Sequence, residues 1–349
     1  MDHDPNIAAP PGSGIYGLPG TVDEARVAVL PVPFDATTSY RKGAADGPEA
    51  ILGASRQVEL LDLETGRPDA QGIAMVEFPR KEWQWLRRMN REANRFAAPV
   101  IAAGGVGGSR RLATLARKVD ERCERVDDFT WHQATGLLRS GKLVATLGGD
   151  HATAFGAIRA HAEAHPGMGV LHVDAHADLR KAFEGFTWSH ASIMHNVATR
   201  LPGVKRIVQV GVRDLCEEER DFARASRGRV QIFADAELAR ERFSGTTWRR
   251  QCTRIVERLP PLVYVSFDVD GLDPSLCPHT GTPVPGGLSF HEASLLLSTV
   301  ARSGRRIVGV DLTEVAPGPA GDEWDANVGA RLLYKLIGWM LVSQEARRR

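Results

Sequence analysis

The chain has 349 residues, 43% of them hydrophobic, enough for one large α/β domain or two ordinary ones and incompatible with disorder. Its 44 basic and 43 acidic residues leave a formal net charge of +1, which excludes a global field that would gather nucleic acid or a membrane surface and favours a small-molecule partner. Cys123, Cys216, Cys252 and Cys277 form no CxxC pair, residues 1–6 lack the apolar core of a secretory signal, and no stretch approaches a membrane span, so a cytoplasmic location is expected.

Residues 1–25 read as an extended N-terminal arm and 26–349 as a single domain, with no repeat or linker to divide it. Short apolar runs follow at 27–31, 72–76, 143–147, 169–173, 207–210, 230–233, 263–267 and 307–312, separated by turn residues and helical patterns. Continuous apolar strands alternating with helices predict a parallel sheet of about eight strands covered on both faces. Between the second and third runs, the polar stretch 81–142 shows helical spacing at 83–96 and 131–138. Its Gly104-Gly105-Val106-Gly107-Gly108 lacks the GKS/T ending of a phosphate-binding loop and reads as a flexible turn. The terminal Arg347, Arg348 and Arg349 read as a frayed, solvated helix end.

Three segments placed at the carboxyl ends of predicted strands concentrate metal-type ligands: Gly148-Gly149-Asp150-His151, Asp174-Ala175-His176-Ala177-Asp178, and the run from Ser266 to Pro274 with Asp268 and Asp270. Spacing by two along extended backbone turns side chains to one face, so Asp174, His176 and Asp178 can converge, as can Asp268 and Asp270. One DxD or DxH is often a turn or helix cap; three such clusters, each ending an apolar strand, are not. Four carboxylates gathered without counter-charge would repel one another and be desolvated, whereas two divalent cations cancel their charge, with His151 and His176 as neutral nitrogen ligands.

These segments resemble the signature segments of the arginase, agmatinase and formiminoglutamase family, the ureohydrolases, from about Val27 to Leu341, including Gly281-Thr282-Pro283 and Pro285-Gly286-Gly287. The resemblance implies a three-layer α/β/α fold around an eight-stranded parallel sheet, assembled as trimers or hexamers. It implies one cation on His151, Asp174, Asp178 and Asp268, and another on Asp174, His176, Asp268 and Asp270, with Asp174 and Asp268 shared. Two such ions would generate hydroxide from water near neutral pH, and Asp178 would orient it. The resemblance further implies Glu314, in Asp311-Leu312-Thr313-Glu314-Val315, as the carboxylate that holds a guanidinium planar, and His190 as the acid for the leaving amine. His195 and His172 compete for that last role, His195 from a helix and His172 from within a strand.

The sequence departs from the usual agmatinase pattern at His190-Ala191-Ser192, where a His-Gly-Thr element is expected. That stretch, with Pro19-Gly20 and Thr37-Thr38-Ser39-Tyr40, resembles the branch that hydrolyses free guanidine, which implies nickel ahead of manganese. Phe186 and Trp188 are expected to narrow the pocket, and Val284 stands where agmatinases often carry Glu, so a compact guanidine or biguanide is expected in place of a long cationic tail. His279 is expected to fill a loop, with a substrate-facing position as the alternative. Agmatinase or guanidinobutyrase activity remains the alternative within enzymes. Deacetylases of the histone type, which need one zinc, fit His151 and Asp270 poorly. A non-catalytic chain, or one working only with a sibling subunit, is the reading of another class.

Overall fold

The computed structural model describes residues 9, 10 and 12–345, so the acidic start at 1–6 and the arginines at 347–349 lie outside the described residues. In chain order the elements are β1 (Val27–Val32), α1 (Gly47–Ala54), β2 (Ile73–Met75), α2 (Arg80–Ala102), α3 (Arg110–Arg139), β3 (Leu143–Gly148), α4 (Phe155–Ala164), β4 (Met168–Val173), α5 (Ile193–Arg200), β5 (Val204–Val210), α6 (Glu217–Ala225), β6 (Val230–Phe233), α7 (Asp235–Phe243), α8 (Trp248–Val256), β7 (Leu262–Asp268), α9 (Phe290–Arg302), β8 (Arg306–Thr313) and α10 (Trp324–Glu345). Each apolar run read from the sequence is a strand. The eight strands form one all-parallel sheet in the order β2-β1-β3-β8-β7-β4-β5-β6.

Both faces are covered because the central strands are apolar on both sides. Val263, Val265 and Phe267 of β7 point into a core shared with α1, α8, α9 and α10, while Tyr264 points into the opposite core with α2 to α6. No helix among the described residues is long and apolar enough to cross a membrane.

The polar stretch after β2 holds two helices longer than their strongest spacing suggested. In α3 the buried side chains are Ala116, Val119, Cys123, Val126, Asp127, Thr130 and Ala134, mostly small and interrupted by two polar residues, which weakens the apolar period. The Gly-rich turn joining α2 to α3 is packed, with Val106 so close beneath Gly185 that a Cβ there would meet it at 2.4 Å. Of the N-terminal arm, Tyr16 is buried, its ring 4.7 Å from that of Tyr334 and its hydroxyl donating to Ala330 O at 3.2 Å. The described part of the arm is therefore tied to α10.

His161 of α4 is buried, with Nδ1 donating to Ala157 O at 2.7 Å and its ring 4.8 Å from Tyr264. Burial pulls its pKa down to about 4. The unfolded chain therefore takes up this proton near pH 6.5 while the folded one refuses it until about 4. The stability this contributes is complete above pH 6.5 and is lost as pH falls towards 4, about 3 kcal/mol in all. Denaturant titrations at pH 7 and 4.5 should show a smaller acid loss in His161→Leu than in the wild type; equal losses would contradict the assignment.

Candidate metal centre

Four neighbouring central strands, β3, β8, β7 and β4, deliver the chemistry at their carboxyl ends. Asp174 and Glu314 directly follow β4 and β8, Asp268 is the last residue of β7, and His151 lies three residues beyond β3. The turn that aims His151 requires glycine, since a Cβ on Gly149 would lie 2.0 Å from Phe34 O. Asp178 and Glu314 adopt left-handed backbone, with φ of 54° and 62°, a conformation that side chains other than glycine rarely adopt and that clusters at functional sites.

His151 Nδ1 lies 3.0 Å from Asp174 Oδ2, 3.2 Å from Asp178 Oδ2 and 3.3 Å from Asp268 Oδ2. Beside it, His176 Nδ1 lies 3.4 Å from Asp174 Oδ1 and 3.1 Å from Asp270 Oδ2. The six groups singled out from the sequence thus meet in two adjoining sets, with Asp174 turning one oxygen to each. Asp268 stands with the first set, and its Oδ1 accepts from Asp270 N at 2.8 Å. The second shared position implied for it is not seen in these distances.

His172 also lies within reach of His151, Asp174 and Asp178, all four close enough to surround one ion. Its hydrogen bonds argue against ligation. Gln209 Nε2 donates to His172 Nδ1 at 2.8 Å, leaving Nε2–H to donate to Asp174 Oδ2 at 2.8 Å, so neither ring nitrogen has a free lone pair. Burial holds the His172 pKa down, as this neutral form requires. His172 therefore orients Asp174. Gln209, which anchors it, carries no motif and is invisible to sequence reading.

The electrostatics are those of a site short of positive charge. Burial and the neighbouring Asp174 push the Asp178 pKa up to about 7. Burial, with Asp270 and Asp174, raises Asp268; burial, with Asp150, raises Glu314. Burial opposes ionisation of Asp174 as well, but His172 and hydrogen bonds from His151, His172 and His176 hold it well below the usual carboxylate range. Both histidines move the other way. Burial would lower them, yet the carboxylates of Asp174, Asp178 and Asp268 raise His151, and those of Asp270 and Asp174 push His176 up to about 12. Asp178 and Asp268, which resist ionising, beside an ionised Asp174 and imidazoles that retain protons are a donor set suited to divalent cations, which would replace those protons.

A cavity of about 150 Å³ opens onto the cluster, lined by Ser39, His176, Asp178, Arg180, Phe183, His190, Ala191, Asp214, Glu219 and Thr282. His190 forms part of its wall, with its backbone N–H donating to Thr37 Oγ1 at 3.0 Å, and Thr37 in turn donates to Asp150 Oδ2 at 2.8 Å. Burial and the nearby His176 and Lys42 push the His190 pKa down to about 3, so it rests neutral and not poised near neutrality. Phe186 and Trp188 do not narrow this cavity. Both are packed between helices, Trp188 edge-on to Phe155 at 4.9 Å with Nε1 donating to Glu124 Oε1 at 2.9 Å. Phe183, with Arg180 4.9 Å above its ring, occupies the wall instead. His195 sits on α5 against Phe222, away from the cavity. His279 fills its loop, with Nδ1 held by Asp325 Oδ2 at 2.8 Å. Val284 is absent from the lining; its carbonyl accepts from Arg213 Nη2 at 2.9 Å.

A fully parallel sheet with carboxylates and imidazoles gathered at its carboxyl edge defines the class, an α/β enzyme with a metal-binding centre. The chain belongs to the arginase family, whose sequence profile matches residues 25–338. It is 37% identical over 319 residues to the N(1)-aminopropylagmatine ureohydrolase of Thermus thermophilus, covering 90% of each chain. It is 31% identical over 316 residues to the proclavaminate amidinohydrolase of Streptomyces clavuligerus, covering 88% of this chain and 87% of that one. In fold it is similar to the agmatine ureohydrolase of Thermoplasma volcanium, with a TM-score of 0.72 at 24% identity, covering 95% of this chain and 96% of the other. Members of this family are ureohydrolases, hydrolases acting on carbon–nitrogen bonds of linear amidines, and so is this chain.

Proposed function

We propose that residues 26–349 form one catalytic domain that hydrolyses guanidine or a compact substituted guanidine, a biguanide included, to urea or a substituted urea plus ammonia or amine. The convergence of His151, Asp174, Asp178, Asp268, His176 and Asp270 at 3.0 to 3.4 Å carries this reading. One divalent cation is assigned to His151, Asp174, Asp178 and Asp268, the other to Asp174, His176 and Asp270 with Asp268 adjoining, nickel ahead of manganese. Bound there, the cations supply a strong nucleophile from water near neutral pH. Asp178, whose carboxylate faces both the cluster and the cavity, would accept a hydrogen bond from a water held there and orient it.

Glu314 is anchored through Oε1, which accepts from His151 N at 2.9 Å, while Oε2 is buried with no partner among the described residues. A guanidinium offers paired N–H groups to such an oxygen and is thereby held planar above the cluster. His190, in the cavity wall, would pass a proton released by the water to the leaving nitrogen. The cavity of about 150 Å³ is below the range of drug-sized sites, and the fixed guanidinium of Arg180 in its wall opposes a second cation; both support a compact substrate.

One observation favours a second reading. Asp214, exposed on the same wall, offers a carboxylate to a cationic tail such as that of agmatine or aminopropylagmatine. Urea release measured on guanidine, methylguanidine, biguanide, agmatine, aminopropylagmatine and 4-guanidinobutyrate, with nickel-loaded and manganese-loaded protein, separates the two. The compact compounds should lead in kcat/KM by at least about tenfold, ~1.4 kcal/mol. The reverse order would establish the second reading, and no urea from any compound would refute both. A trimer or hexamer, of this chain alone or with a sibling subunit, is part of the proposal, and native mass with co-purification decides it.

A further inference from the structure

Asp311 lies three residues before Glu314 in the same strand-end motif, buried beneath the metal cluster, and takes no part in the chemistry described so far. It is linked to the cluster through a single side chain. Ser266 Oγ donates to Asp311 Oδ1 at 3.0 Å, and His151 Nε2 lies 2.9 Å from the same Ser266 oxygen. Asp311 Oδ1 also accepts from Phe267 N at 3.2 Å, which fixes the carboxylate against β7. His151, Ser266 and Asp311 are all fully buried.

With Ser266 donating to an ionised Asp311, the proton positions along this chain follow. A serine hydroxyl has one hydrogen, and here it goes to Asp311, so Ser266 Oγ can only accept from His151. His151 Nε2 must then carry the hydrogen. In the neutral imidazole the lone pair is thereby assigned to Nδ1, the nitrogen that faces Asp174, Asp178 and Asp268. Were the serine free to turn, its hydrogen could go to Nε2 and the ring could rest in the opposite tautomer, with N–H aimed where a cation must sit.

We propose that Ser266 and Asp311 are positioning residues that lock His151 in the tautomer and orientation needed to bind a cation, an inference that rests on the reading of His151 as a ligand. His176 faces Asp174 and Asp270 through Nδ1, its side chain is 24% exposed, and among the described residues no serine or carboxylate relay backs its other nitrogen. Loss of the relay should therefore weaken the cation on His151 selectively. Partners of this kind typically govern metal affinity by about 10–100-fold.

The test titrates manganese(II) against a chelator of known affinity in the whole protein, for wild type, Ser266→Ala, Ser266→Thr and Asp311→Leu, with apo melting temperatures to show that each variant folds. Ser266→Ala and Asp311→Leu should weaken one of the two binding steps by at least about tenfold and leave the other within about threefold, while Ser266→Thr, which keeps the hydroxyl, stays near wild type. If Asp311→Leu fails to fold, Ser266→Ala alone decides. Wild-type affinity in folded Ser266→Ala would overturn the proposal, as would equal weakening of both steps, or a threonine variant of unchanged melting temperature as weak as alanine. A wild type that binds no cation would instead refute the metal centre itself.

Discussion

Asp174→Asn is expected to lower kcat/KM on the best guanidine substrate by at least about 10⁴-fold, ~5.5 kcal/mol of transition-state stabilisation, and to leave the protein unable to hold a full complement of cations. Asp174 turns Oδ2 to His151 and Oδ1 to His176, so it serves both sets at once. An amide is almost isosteric but carries no charge and keeps one acceptor oxygen in place of two, so one set must lose its ligand. The change also puts an N–H₂ beside either His172 Nε2–H or a histidine that must itself be a ligand. Kinetics with metal analysis on the purified, folded variant would check this. Activity within tenfold of wild type at full metal content would mean that Asp174 is not the shared residue.

Glu314→Gln should act differently. Its carboxylate stands apart from the cation set, so metal content should hold, while kcat/KM falls by about 10³-fold, ~4 kcal/mol, as two charge-assisted hydrogen bonds to the guanidinium are lost. The glutamine still offers an oxygen to His151 N, which preserves the backbone position and its φ of 62°. What it loses is the charge on Oε2, buried and without a partner among the described residues. Steady-state rates together with cation stoichiometry distinguish the two variants. A Glu314→Gln protein that lost its cations would show that Glu314 supports the cluster and does not clamp the substrate.

Much of this site is legible in the sequence because strand-end geometry is simple. A strand alternates faces with period two, so Asp174 and His176 could be placed together before any coordinates, and each apolar run became a strand because buried parallel strands have no polar face to blur the pattern. What the sequence could not give depends on contacts between segments distant along the chain. Phe186 and Trp188 sit beside His190 in sequence, yet Asp120 of α3 takes their loop by accepting from Thr187 N at 3.2 Å and Trp188 N at 3.1 Å, and the aromatic rings pack inward. Phe183, a few residues earlier, lines the cavity instead. His172 could be suspected as an orienting group from its place within an apolar strand, but only Gln209, on the neighbouring β5, shows why it is one. Ser266 shares the alternating face of Tyr264 and Asp268, a signal that was present and would have found it. Asp311 had no signal of its own, because a lone acid in an apolar strand looks the same whether it props a ligand or satisfies a turn.

Four acidic groups and two imidazoles are expected to gather two divalent cations. Calorimetric titration of metal-stripped, folded protein with nickel(II) or manganese(II) tests it most directly. Two ions per chain are expected to bind, both needed for urea release. Saturation at a single ion with full activity, or no specific binding while the fold is intact, would contradict it.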